Sequence, residues 1–141
     1  MVEWLCNATI HRFNSSGKTM TKIKITAGKI SLNAELNDSK TAKLIAAALP
    51  IEASGNTWGD EIYFGISVKT GAEKPCEVVE IGDLGYWPPG NAFCIFFGPT
   101  PASHGNEIRP ASPVNLVGKV LGDAKKFKQV TDGETVRIEL V

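Results

Sequence analysis

GYWPPGNAFCIFFGPTP, residues Gly85 to Pro101, is the stretch on which the reading of this chain turns. Tyr86 and Trp87 stand directly before Pro88, Pro89 and Gly90. Proline fixes its own φ and pushes the residue before it towards extended backbone, so this aromatic corner is stiff. Phe93 to Phe97 then runs apolar with no alternation, which predicts a strand buried on both faces. Gly98-Pro99 breaks that strand. Pro99 to Pro113 holds four prolines together with Ser103, Gly105 and Asn106, and is the longest irregular segment. Long ordered loops are more often functional than short ones. A rigid aromatic corner beside a buried strand and a long loop forms a wall suited to a pocket.

Strand signals dominate on either side. Ile23 and Ile25 alternate with Lys22, Lys24 and Thr26; Ala27-Gly28-Lys29 can turn the chain; Ile30, Leu32, Ala34 and Leu36 alternate again. This is the pattern of a β-hairpin. Asp38 or Ser39 suits a helix N-cap, Ala42, Ile45, Ala46 and Leu49 share one helical face, and Pro50 stops the helix. Ile51 to Thr57 reads as a strand-to-loop transition. Ile62, Phe64, Ile66 and Val68 form a period-two stripe with Glu61, Tyr63, Ser67 and Lys69 opposite. Thr70 to Pro75 reads as a loop, and Val78, Val79 and Ile81 as a barrel edge. Val114, Leu116 and Val120 resume a strand, Gly122-Asp123 caps a helical turn through Phe127, and Val136, Ile138 and Leu140 make a last strand after the turn Asp132-Gly133. Seven or eight strands with two short helices exclude a doubly wound sheet. A closed barrel, which removes exposed edges, is the expected architecture.

Composition bounds the function. The 141 residues suit one domain, expected over 20–141, with 1–19 a flexible N-terminal extension and Met20 an alternative start. Fifteen basic and fifteen acidic residues cancel. No Lys/Arg block is present, so no nucleic-acid partner is expected; Lys125, Lys126 and Lys128 read as a solvated face. No apolar run approaches the ~20 residues that span a bilayer, so no membrane partner is expected. Cys6, Cys76 and Cys94 are odd in number and widely spaced, which suits a reducing cytoplasm, and none shows zinc-ligand spacing. Phosphate-binding glycine patterns are absent, and no cofactor, metal site or catalytic residue is assigned.

Two segments carry a family resemblance. Trp58-Gly-Asp-Glu-Ile-Tyr-Phe64 and Gly82 to Pro101, with Pro110 to Asn115 and Leu121 to Asp123, resemble the prokaryotic cyclophilin-like domain family of bacteria and archaea. The resemblance covers about Met20 to Val141. It implies a mainly β fold, a closed eight-stranded barrel with two short capping helices. True cyclophilins are a weaker match. Their prolyl isomerase site uses an arginine beside a phenylalanine on an early strand, whereas residues 22–36 and 62–68 here contain no arginine. Phe96-Phe97 resembles their paired phenylalanines, one of which faces the pocket. The missing guanidinium matters because it would stabilise the twisted amide more than the planar one, and lysine cannot copy its planar fork.

The candidate ligand-binding residues are Tyr86, Trp87, Phe96, Phe97, Thr100, His104, Glu107 and Arg109. Tyr86 and Trp87 offer large apolar faces with polar tips; the competing reading of Trp87 is a core plug. Glu107 and Arg109, two apart in an extended segment, point to the same side and could clamp a polar ligand; the competing reading is a surface ion pair or loop brace. His104 with Glu107 could do acid–base work. Trp58 reads as rim packing, and Asp60 and Glu61 alternate faces. The expected function is a binding module for a small molecule or peptide. A weak peptidyl-prolyl isomerase or other small enzyme in the same cleft is the alternative, and a homo-oligomer contact through the aromatic loop is a third reading.

Overall fold

The computed structural model describes residues 20–141, so the expectations for 1–19 lie outside the described residues. The hairpin forms where the alternation places it. β1 (Thr21–Ala27) and β2 (Ile30–Leu36) pair antiparallel from Thr21↔Leu36 to Ala27↔Ile30. Gly28 carries the turn at φ +58°, a left-handed conformation that glycine adopts without steric cost. The helix α1 (Lys40–Ala47) starts at Ser39, whose hydroxyl accepts from the Ala42 amide at 3.1 Å, an ordinary N-cap.

β3 (Ile51–Ser54) and β4 (Asn56–Thr57) follow, then β5 (Glu61–Gly65), β6 (Asp83–Trp87), β7 (Ala92–Phe96), β8 (Asn115–Val120) and β9 (Thr135–Leu140). The sheet order is β3-β9-β1-β2-β8-β6-β7-β5-β4, with antiparallel pairing throughout. Its two outermost strands, β3 and β4, are consecutive in the chain and separated only by Gly55. The sheet therefore curls into a nearly closed barrel. The nine strands exceed the expected eight because the segment read as a strand-to-loop transition changes partner at Gly55, from β9 to β5. Gly55 is needed there for space. A Cβ would sit 2.9 Å from Val136 Cγ2 and 3.1 Å from Ile62 Cγ2.

Two apolar clusters divide the strand faces. Inside lie Ile23, Ile25, Leu36, Ile62, Phe64, Leu84, Tyr86, Phe93, Ile95, Phe97 and Ile138, with α1 adding Ala42 and Ile45. A 3-10 helix, Ala124–Gln129, adds Ala124 and Phe127, whose ring meets Phe97 at 6.1 Å. The second cluster, Cys76, Val79, Cys94, Phe96, Ile108, Val114 and Leu116, lies on the opposite face of β7 and β8. Two isolated bridges, Cys76↔Val114 and Val79↔Ile108, hold the 76–79 and 108–114 segments together over it. Every residue of β7 is buried as a result, in line with its unbroken apolar run.

Cys76 is disulfide-bonded, and Cys94 is free. This corrects the reading of the cysteines as simply reduced. Among the described residues no helix is long and apolar enough to cross a membrane.

Candidate binding site on the outer face of the barrel

A strand alternates its side chains, so each residue flanking an inward one points outward. On β5, Ile62 and Phe64 point inward, leaving Glu61 and Tyr63 on the outer face. On β7, Cys94 stands directly across from Tyr63. Trp87 closes β6, and Val114 leads into β8. These side chains, with Trp58 ahead of β5, line a pocket of about 280 Å³. Pro110 and Ala111, from the long loop, make its remaining wall.

Trp87 is held from two sides. Its indole Nε1 donates to Ser112 Oγ at 2.6 Å, which ties the β6 corner to the long loop. Its six-membered ring lies so close to Gly90 that a Cβ there would be 2.7 Å from Cζ3. The Pro-Pro-Gly run, a 3-10 turn over Pro88–Gly90, thus shapes one side of the pocket wall.

Glu61 is the pocket's charged group, and it is only 5% exposed. Burial raises its pKa from 4.5 to about 7, and a hydrogen bond with Cys94 pulls in the other direction. Cys94 is pushed well above its ordinary value, first by its own burial and then by the neighbouring Glu61 charge. A thiol so held is a poor nucleophile, since the thiolate is the reactive form. Among the described residues no cluster of three or more His, Cys, Asp or Glu side chains could hold a metal.

The residues proposed from sequence fall in different places. Trp87 lines the pocket. Phe96 lies in the outer cluster to which Trp87 and Cys94 belong, whereas Phe97 points into the barrel. Tyr86 is fully buried in the barrel interior and away from the pocket. Its hydroxyl donates to the Val68 carbonyl at 2.7 Å and accepts from Asn91 Nδ2 at 2.8 Å and the Thr70 amide at 3.3 Å. Thr100 braces the long loop: its hydroxyl donates to the Arg109 carbonyl and accepts from the Ala102 amide. Glu107 and Arg109 do share a side, where they form a two-pronged ion pair at 2.8 and 3.2 Å. That pairing lowers the Glu107 pKa and raises that of Arg109. Arg109 also reaches Glu77 at 3.8 Å. His104 is exposed, and its backbone amide donates to Glu107. Neither His104, Glu107 nor Arg109 lines the pocket.

Glu61, Tyr63, Trp58, Cys94, Pro110, Ala111 and Val114 line the pocket although the sequence pattern does not single them out as site residues. One signal could have found the first two. If both faces of the Phe93–Phe97 strand are buried, something must cover its outer face, and the outward residues of the adjacent strand then lie beneath the same cover.

With this geometry in hand, the fold class is that of a small antiparallel barrel with a pocket on its outer wall. A model of cyclophilin-like proteins matches residues 21–139, and the chain belongs to that cyclophilin-like family. The solution structure of a hypothetical protein from Archaeoglobus fulgidus is similar, with 40% identity and a TM-score of 0.76. The match covers 89% of this chain and 99% of the archaeal one. No curated protein matches the chain.

Proposed function

We propose that this protein is a non-catalytic binding module that holds a small organic molecule, or a side chain of a peptide, in the pocket on its outer wall. The carrying observation is the convergence of Trp58, Tyr63 and Trp87 with Pro110, Ala111 and Val114 around about 280 Å³ beside a buried carboxyl group. Ligand sites are concave, mostly apolar and carry few polar groups; ~300–1,000 Å³ is usual, so this pocket takes a small ligand. Trp87 needs little rearrangement on binding, because it is already fixed by Ser112 and Gly90. Pre-ordered aromatic walls reduce the entropy lost on association.

The isomerase alternative has less support. Among the described residues, no arginine lines the pocket, and Arg109 is engaged with Glu107 and Glu77. A fragment screen read by tryptophan fluorescence and by indole N–H resonances tests the binding reading. Hits should lose their response in Trp87→Ala. A broad library that shifts neither Trp58 nor Trp87 would refute it.

A further inference from the structure

We propose that the pocket selects a small organic cation, a protonated or quaternary amine, seated among Trp58, Tyr63 and Trp87 with the Glu61 carboxylate as its counter-charge. This rests on the ligand-binding reading and specifies its chemistry. Aromatic rings attract cations through their quadrupole, and aromatic cages are an established way to hold quaternary ammonium groups. Here three such side chains and one carboxyl group line a single small pocket.

The charge distribution around the pocket points the same way. Glu61 has Cys94 as its hydrogen-bonding partner, and among the described residues no cation pairs with it. Arg109, next to Pro110 in the chain, is engaged with Glu107 and Glu77, and Lys128, which reaches Asp60 beside Glu61, is paired with it at 3.7 Å. An anionic ligand would meet a carboxyl group and no compensating charge. A neutral apolar ligand would complete the desolvation of Glu61 and return nothing for it. A cation alone both compensates the buried charge and uses the aromatic walls.

The groups that face Glu61 are few. β7 supplies Cys94 and β5 supplies Tyr63; β6 and the loops supply Trp87, Trp58, Pro110, Ala111 and Val114, none of which titrates. Cation binding should therefore require loss of the Glu61 proton and should weaken below its pKa of about 7.

The test titrates the full chain with choline and with 3,3-dimethylbutan-1-ol, its uncharged carbon isostere, following the Trp58 and Trp87 indole resonances. Benzyltrimethylammonium is a larger cationic probe. At pH 8 choline should bind about tenfold more tightly than its isostere, the scale of a cation–π contact with a counter-charge. Choline affinity should fall about thirtyfold between pH 8 and pH 5.5, as the ionised fraction of a group with a pKa of about 7 does, while that of the isostere stays level. The Glu61→Gln variant should lose the preference for charge; should that variant fail to fold, the pH series on the unaltered protein decides the same point. Equal binding of choline and its isostere, or a pH-independent preference, overturns the cation assignment and leaves the binding reading intact. No shift of either indole by any of the three probes also overturns the cation assignment, and the fragment screen then decides the binding reading on its own.

Discussion

Glu61→Gln should make this protein more stable in alkaline solution, by an amount that the structure sets. The folded state holds the Glu61 proton up to about pH 7, whereas the ordinary value is 4.5. Between those values the folded chain binds more protons than the unfolded one, so stability falls as pH rises. Each tenfold change in proton affinity is worth about 1.4 kcal/mol, so the interval corresponds to about 3 kcal/mol. Glutamine nearly matches the shape of the protonated acid and does not titrate. The difference in unfolding free energy between Glu61→Gln and the unaltered protein should thus be level below pH 4.5. It should grow by about 3 kcal/mol between pH 4.5 and pH 7 and level off again above. Cys94 ionises well above its ordinary value and stays out of this window. Urea titrations at half-unit pH steps measure the difference directly, and subtraction removes the other carboxyl groups. A difference that stays constant across this range, or that shrinks as pH rises, would refute the claim that Glu61 is buried without a compensating charge.

Three further outcomes follow from the packing. Tyr86→Phe removes a hydroxyl that satisfies the Val68 carbonyl and the Thr70 amide, and should cost about 1–3 kcal/mol in urea unfolding while leaving ligand responses at Trp87 unchanged. Gly55→Ala drives a methyl group to within 2.9 Å of Val136 and should cost about 1–3 kcal/mol, with loss of amide-exchange protection concentrated in β3 and β4. Glu73 accepts from the Lys40 and Thr41 amides at 3.0 and 2.9 Å and so closes the start of α1. Burial raises its pKa, but the hydrogen bonds from Thr41 and Lys40 outweigh this and leave it lowered. The stabilisation it gives is full above pH 4.5 and is lost as pH falls through the folded value; Glu73→Gln should abolish that acid-side loss in thermal melts at pH 3 to 5.

The fold was legible wherever the signal is local. The alternation of Ile23 to Leu36 gives the hairpin, Ser39 and Pro50 bound the helix, and the unbroken Phe93–Phe97 run gives a strand covered on both sides. Closure of the barrel was harder to place. Ile51 to Thr57 offers only Ile51 and Ala53 as an alternating pair, and its change of partner at Gly55 depends on β9, far along the chain. The site was hidden for a related reason. Glu61 and Tyr63 occupy the polar side of a strong stripe, and such a side ordinarily faces water. Only the return of residues 108–114 over β5 and β7 turns that face into the wall of a pocket, and this is a tertiary event. Tyr86 failed in the opposite direction. Its neighbour Trp87 points outward, and alternation alone sends Tyr86 inward, where Asn91, Val68 and Thr70 satisfy its hydroxyl.

The treatment of buried polar groups separates scaffold from site. Asn115, 2% exposed, has its amide nitrogen donating to Thr41 Oγ1 and the Gly71 carbonyl, while its oxygen accepts from the Glu73 amide. Tyr86 is similarly satisfied. In both places a polar group is buried and its partners are built in, which is what stability demands. Glu61 departs from that rule. It is as buried as they are, it carries a potential charge, and a single thiol is its partner. Selection for stability alone would favour glutamine or an apolar side chain there, because burying an ionisable group without a counter-charge is costly. This buried acid, which departs from the pattern, lines a pocket walled by three aromatic side chains. That coincidence is best explained if the missing partner is supplied by the ligand, since perturbed ionisable groups gather where proteins bind or react.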